Sequence, residues 1–393
     1  MNKQKIVYFG DIGVPNSASA IHVCNRAELL TKIDMDVYVI ALSSKDGKKI
    51  KNNKYVHYEY LPPIKGDGKI RGLKWNVDQM LGNITGPLLL KKLKKLSPDF
   101  LILYEVNSVL LQAKLRKYCK KNNIKIIIET TEWMEMEKNR SLAENLLIWQ
   151  KNIQKKYTDK KCKNIITISG FLDEFYRNQG CNTITIPPVF PRMIDQEEIA
   201  RKRDERCDAK VRLVFAGSLS NKDYLNEILQ ALITINKDTI KISFDIIGPS
   251  EQEIVKCINQ NNLTRYGIFV HGRMNHDDVL KIVIKSDYSV LLRENKRYAQ
   301  AGVSTKFCEA MKLGVPSICT KVNGTDLFVK HGENGFLIEK NTTKEIGLIL
   351  EHILSMENSD ILLMKINAYQ YAEKYFSPEK YFSALRDFLK KCY

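Results

Sequence analysis

The chain of 393 residues is short of several things, and each shortage excludes a class of protein. No uncharged run approaches the roughly 18–20 apolar residues that a membrane-spanning helix requires. Met1 to Lys5 lead straight into the strand-like Ile6-Val7-Tyr8-Phe9, too little chain for a secretory signal. The nine cysteines form no CxxC pair and no zinc-type spacing with histidine. An odd number of scattered thiols suits a reducing compartment, so the cytoplasm is the expected location. Low-complexity segments are missing too, and 44% hydrophobic with 27% charged residues is ordinary for a soluble globular protein. Acid is the last shortage. Against 62 Lys and Arg stand 45 Asp and Glu, a net charge of +17. That surplus favours an anionic partner: nucleic acid, an acidic membrane surface or a phosphorylated substrate. The lysine clusters lack the interleaved aromatics of single-strand binders, and no RNA-binding signature occurs, so no nucleic-acid partner is expected.

What is present is one rhythm, repeated. Short β-branched runs alternate with longer stretches of helical period, the pattern of parallel sheets wrapped by helices. In the first half, strands are predicted at Ile6–Phe9, Val37–Leu42, Val56–Tyr60, Phe100–Tyr104, Ile124–Glu129, Ile165–Ile168 and Thr183–Ile186. Pro187-Pro188-Val189-Phe190-Pro191 then stiffens the chain, and the charged stretch Asp195–Lys210 reads with it as an interdomain connection. The rhythm restarts with strands at Arg212–Ala216, Ile242–Ile247, Ile268–His271, Tyr288–Leu292 and Ser317–Thr320, and two helices, Asp360–Lys374 and Pro378–Lys390, end the chain. Two doubly wound α/β domains follow. In such sheets ligands sit beyond the carboxyl ends of the strands.

Two segments carry chemistry there. In the first, strand Tyr288–Leu292 runs into the polar loop Arg293–Ala301, and Gly302-Val303-Ser304-Thr305 opens a helix that stops at Gly314. Ser304 or Thr305 can cap the helix, and its free N–H groups make an anion site. Gly302 lets a ligand approach the backbone closely. Lys306, Arg293 and Arg297 add positive charge suited to a diphosphate. Glu309, one turn in, can accept two hydrogen bonds from a ribose diol. A capped surface helix with solvated charges explains the same residues. The second segment, Phe215 to Asp223, again runs strand, glycine (Gly217), small polar residues such as Ser218, lysine (Lys222), helix. An ordinary βα turn is its plainer reading. Both segments fall in one domain at equivalent strand ends, which strengthens each.

These residues resemble family 4 glycosyltransferases of the GT-B fold, of the kind that build bacterial surface polysaccharides. The matching pieces are Phe215–Asp223, Ile247-Gly248-Pro249, His271-Gly272-Arg273, Ala301–Pro316 and Asn334-Gly335-Phe336-Leu337, with Gly10–Ala20 and Thr131-Glu132-Trp133 weaker. The resemblance implies two Rossmann-like domains facing a cleft: an acceptor-binding domain over 1–190, with the terminal helix of about 376–393 packing back onto it, and a donor-binding domain over 191–375. It implies a retaining transfer of sugar from a nucleotide-diphosphate donor to a glycan or polyprenyl-linked acceptor, with no metal and no other cofactor. Lys222 and Lys306 would neutralise the leaving diphosphate, Gly217 and Ser218 would line it, and Gly302, Val303, Ser304 and Thr305 would offer backbone N–H groups. Glu309 would hold the ribose, and His271 to Met274 would flank the base. Glu132 is placed to orient the acceptor hydroxyl, or else to cap a helix after the strand.

The sequence departs from that family in three places. Ala301 stands eight residues before Glu309, where the family commonly has a sugar-contacting glutamate, so that contact is missing or comes from elsewhere, such as Glu294. Ser218 replaces an arginine common after the glycine, which leaves Lys222 and the basic loop to neutralise the charge. A histidine common near the end of the fifth strand is absent from Glu129-Thr130-Thr131-Glu132-Trp133. A nucleotide-sugar epimerase of the same fold, or a catalytically silent nucleotide-binding relative, are the alternatives.

Other motifs read more plainly. Asp34-Met35-Asp36 has the spacing of a metal-binding acid pair but lies before a strand, where a solvated turn is expected. His276-Asp277-Asp278 precedes an apolar helical run and suits capping and dipole pairing. Lys91-Lys92-Leu93-Lys94-Lys95 at a helix end complements the helix dipole. It equally suits peripheral contact with anionic lipid on the inner face of the plasma membrane.

Overall fold

The computed structural model describes the chain apart from residues 1–2, 11, 13–16, 43–55, 66, 137–139, 205–209, 219–223 and 323, and the side chains of 202–204. Two compact units emerge: Met1–Val189 with Pro378–Tyr393, and Phe190–Ser377.

The first unit holds seven parallel strands: β1 (Lys5–Gly10), β2 (Asp36–Ala41), β3 (Val56–Tyr60), β4 (Phe100–Tyr104), β5 (Lys125–Thr130), β6 (Asn164–Thr167) and β7 (Asn182–Thr185). Their order is β3-β2-β1-β4-β5-β6-β7. Central strands are apolar along their whole length because helices cover both faces: Ile6, Val7, Tyr8 and Phe9 of β1 are all buried. The edge strand β3 instead alternates buried and exposed positions, as a strand with one solvated face must. The winding reverses between β1 and β4. There Gly10 has no room for a side chain, since a Cβ would stand 2.2 Å from the Tyr104 carbonyl oxygen.

The second unit repeats the plan with six parallel strands: β8 (Val211–Ala216), β9 (Ile242–Ile247), β10 (Ile268–Gly272), β11 (Tyr288–Leu291), β12 (Ser317–Thr320) and β13 (Gly335–Ile338). Their order, β10-β9-β8-β11-β12-β13, reverses between β8 and β11. The strand positions expected from sequence are all occupied. β13 was not expected as a strand; Asn334-Gly335 at its start reads as a turn. The charged stretch after Asp195 is also more than a connection: it forms the helix Gln196–Asp204, whose Ile199 is buried in the second unit. One apolar residue anchors it, so composition hid the helix.

After the helix Asn358–Phe376 the chain rejoins the first unit through a short turn, Pro378–Tyr381, and the helix Phe382–Lys390. Tyr381, Leu385, Phe388 and Leu389 enter the same core as Ile6 and Tyr8. The Asn164 side chain pairs with the Tyr393 backbone, its Oδ1 accepting from the amide at 3.2 Å. Among the described residues, no helix is long and apolar enough to cross a membrane.

Candidate active site

In the second unit the strand order reverses between β8 and β11, and the carboxyl edge of the sheet at such a reversal is where an α/β ligand is expected. The loops after those two strands are the two segments singled out by sequence, and Tyr224 N donates to Leu292 O at 3.3 Å between them. Gly217 follows β8, Gly248 follows β9 and Gly272 closes β10, a row of three side-chain-free positions. Gly217 N donates to Ile247 O at 2.9 Å, and Gly248 N to Gly272 O at 2.7 Å. Gly248 takes φ 116°, and a Cβ on it would lie 1.8 Å from the Gly217 carbonyl oxygen. Only glycine fits. Ser218 is exposed beyond this row, and Lys222 lies outside the described residues.

On the other side of the reversal, Arg293 follows β11, its N–H donating to Thr320 Oγ1 at 2.9 Å and its carbonyl accepting from Asn341 Nδ2 at 2.8 Å. The loop expected over Arg293–Ala301 contains a short helix, Arg297–Ala301, which leaves Arg297 exposed and buries Ala301. Gly302 has extended backbone (φ −98°, ψ 153°), open to any residue, so conformation does not require glycine there. Gly302, Val303, Ser304 and Thr305 are half-buried, and Lys306 is exposed. Ser304 is the cap: its Oγ accepts from Phe307 N at 3.4 Å, at the head of the helix Thr305–Lys312. Glu309 turns inward from this helix and is buried. Glu294 is paired with Lys296 at 2.6 Å.

Sequence reasoning missed a partner here. His276 does not cap its helix; Asn275 does, through Oδ1 on the Asp278 amide at 3.0 Å. His276 instead directs Nε2 to Glu309 Oε1 at 2.8 Å. That hydrogen bond raises the imidazole pKa above its usual 6.5, with burial opposing it. His271 is likewise held, Nε2 lying 2.6 Å from Asp245 Oδ1. Met274 is partly buried against the core beneath the strand ends.

The first unit has its own edge at the reversal between β1 and β4. Glu105 follows β4 at φ 46°, a left-handed conformation uncommon outside glycine. Its Oε1 accepts from the Thr131 amide at 2.7 Å and lies 3.5 Å from Lys155 Nζ. Burial pushes the Glu105 carboxyl up, but Lys155, Lys151 and the Thr131 amide outweigh it and hold the acid ionised. Lys155 is delivered by a π-helical turn, Gln154–Thr158, a geometry enriched at functional sites. Two cavities flank Glu105, each about 20 Å³, room for one water rather than a sugar. Glu132 does not cap a helix; Ser141 caps the next one, and Glu132 accepts from Lys151 Nζ at 3.1 Å.

Beside this edge is a buried charge cluster that no sequence motif announced. Glu129, at the end of β5, accepts from Tyr8 Oη at 2.5 Å, from Arg26 Nε at 3.1 Å and from His22 Nε2 at 2.8 Å. Burial works to raise the Glu129 carboxyl, yet Arg26, His22 and Tyr8 together bring it down to about 2. A histidine thus does stand at the fifth strand's end, supplied by the first helix and enclosed by the core. Asp34 sits in an exposed turn 3.8 Å from Lys3, and Lys94 and Lys95 occupy the last turn of the helix Thr85–Leu96. Among the described residues, no three His, Cys, Asp or Glu side chains converge as a metal site would need.

The chain is similar to known proteins in its second half and in its fold. The family described as Glycosyl transferases group 1 matches residues 195–373. An uncharacterized glycosyltransferase of Methanocaldococcus jannaschii is 27% identical over 194 residues, 48% of each chain, so the match spans about half of that relative. Sucrose-phosphate synthase from Thermosynechococcus elongatus superposes with a TM-score of 0.73, covering 99% of both chains at 12% identity. The Anabaena protein HepE, solved in complex with UDP, gives 0.66 over 98% of this chain and 100% of its own, at 15% identity. The chain therefore has the two-domain α/β architecture of the GT-B fold, and its residues 195–373 match the group 1 glycosyl transferases.

Proposed function

We propose that this protein is a retaining glycosyltransferase. It takes a sugar from a nucleoside-diphosphate donor held by the unit Phe190–Ser377 and passes it to a glycan or polyprenyl-linked acceptor held by the other unit. One observation carries the donor reading: the capped start of the helix Thr305–Lys312 and the buried carboxylate of Glu309 stand together beside the β8–β11 reversal. Backbone N–H groups at that helix start suit a diphosphate, and a carboxylate one turn in suits a ribose diol. The group 1 match and the UDP complex of HepE support the same class of ligand.

In the transfer, the bond from the anomeric carbon to the diphosphate oxygen breaks as the acceptor oxygen bonds to that carbon. The acceptor proton leaves with a diphosphate oxygen as its acceptor. Charge develops on the leaving group, so donors fixed in advance around it are the main help a protein can give. Lys306, Arg293, Arg297 and the helix start supply them without a metal, and Lys222 adds a further cation. Ser218 brings no charge of its own, which makes these groups more important. Glu132, paired with Lys151, is assigned to the acceptor hydroxyl. The work is assigned to surface polysaccharide assembly on the cytoplasmic side of an anionic membrane, in keeping with the +17 charge.

The test is thermal stabilisation by UDP, GDP, ADP, CDP and TDP and their common sugars. A bound nucleotide at a hundredfold excess over its dissociation constant adds about 2.7 kcal/mol to stability. One nucleotide should raise the melting temperature, UDP being the first to try. No rise with any of them rejects the donor site.

A further inference from the structure

Two neighbouring helices of the first unit each turn a stripe of large apolar side chains outward while burying polar ones. In the helix Gly68–Leu81 the side chains turned to the core are polar: Asp78 and Gln79 are buried. Asp78 Oδ1 accepts from the Ile84 amide at 2.7 Å and the Thr85 amide at 3.1 Å, and Gln79 Oε1 accepts from Asn107 Nδ2 at 3.3 Å. Four apolar side chains face out, with Ile70 59% and Leu73 66% exposed and Val77 and Leu81 beside them, while Trp75 and Met80 are half-buried. At 100° per residue these four fall within one narrow stripe. The helix Leu142–Ile153 packs against it and carries a similar outward stripe, burying Ile148 and Gln150 on its inner side. Gln150 is buried, donating to Asn107 O at 2.6 Å, while Leu142 at 87%, Trp149 at 50% and Leu146 are exposed.

Seven large apolar side chains on two touching helices are not the scattered exposure normal for a surface. Positive charge lies alongside. Lys69, Arg71 and Lys74 are exposed on the first helix, and Lys91, Lys94 and Lys95 on the helix that follows it. Apolar residues bordered by cations, with a tryptophan among them, match the chemistry of an anionic bilayer surface: acyl chains below, phosphate headgroups around.

We propose that the outer faces of the helices Gly68–Leu81 and Leu142–Ile153 form a membrane-docking surface that inserts Leu73, Leu142 and Trp149 among anionic lipids. This deepens the membrane contact proposed above by moving it from charge alone to insertion. It is independent of which nucleotide the second unit binds.

The experiment is co-sedimentation of the full chain with vesicles of phosphatidylcholine, alone or mixed with phosphatidylglycerol. Binding should require the anionic lipid. It should fall about tenfold or more in the exposed-residue variants Leu73→Ser with Trp149→Ser, a loss of the order expected for withdrawing two large side chains. Lys69→Glu with Lys74→Glu should lower it by a similar factor. Trp149 fluorescence should be quenched by lipids brominated on the acyl chain, and Trp149→Phe should lose that quenching. Circular dichroism and melting temperature identify any variant that is misfolded. Vesicle binding undiminished by the serine variants, or no acyl-chain quenching, overturns the surface and leaves a headgroup contact only. No binding to either vesicle overturns the surface and the membrane contact together. A lipid-free dimer that the serine variants abolish overturns the proposal in favour of a second copy. None of these results bears on nucleotide stabilisation, so the transferase reading stands or falls separately.

Discussion

His276 and Glu309 are 33 residues apart in sequence, and their side chains meet at 2.8 Å. The bond engages one of the two carboxylate oxygens of Glu309. It also couples the fold to pH. The folded pKa of His276 is raised above 6.5, so its contribution to stability is full below that value and fades as pH rises through the folded value. His276→Ala should therefore lower the melting temperature more at acid pH, near about 6, than at about 9, where the histidine is neutral in both states. An equal loss at both pH values would show that the pair is not charged.

Glu309→Ala should weaken nucleotide binding by about tenfold to a hundredfold, the range of a lost hydrogen bond to a charged group. Titration calorimetry with the preferred nucleoside diphosphate and its 2′,3′-dideoxy form checks the cause. The wild type should discriminate between them; the alanine variant should not.

Lys306→Ala and Lys222→Ala should each lower turnover about 10²–10³-fold, as removal of one preorganised electrostatic partner does. Near-normal turnover in both single variants would dismiss the assignment of leaving-group stabilisation.

Glu129→Gln should destabilise the first unit by about 3–5 kcal/mol, because it strands the buried Arg26 guanidinium without its counter-charge. The carboxyl pKa is depressed to about 2, so the contribution of Glu129 is present above its unfolded value and is lost as pH falls towards 2. Denaturant unfolding of both proteins at neutral and acid pH should show the gap closing in acid. A gap that persists would assign the loss to packing.

Gly248→Ala should cost at least the roughly 1–3 kcal/mol of a strained backbone and displace the Gly217 turn, since its Cβ would clash with that carbonyl. Melting with and without nucleotide separates the effects: stability and nucleotide stabilisation should fall together.

The layers of the fold were readable because buried parallel strands are continuous apolar runs: Phe100–Tyr104 cannot be mistaken. The proposed anion site was readable for a similar reason, since its parts are contiguous in sequence from Gly302 to Glu309. Pairs brought together by the sheet were not. His22, Arg26 and Glu129 are 103 residues or more apart in part and carry no mutual signal, and a local reading made His276 a cap because Asp277 and Asp278 look like one. The outward stripes on Gly68–Leu81 and Leu142–Ile153 were not read from the sequence, because the direction of a stripe depends on where Gln79 and Gln150 find partners.

The helix Phe382–Lys390 lies in the core of a unit whose other residues end at Val189. During synthesis, the first sheet must therefore wait through the making of about half the chain before its last packing partner leaves the ribosome. For that interval Leu385 and Phe388 leave a gap against β1 and its neighbours, a sticky surface that a chaperone would have to cover. No single proteolytic cut between the units can yield a complete first unit, because its sequence is interrupted by the second. An expression fragment of the first unit should be made with residues 378–393 joined after Val189.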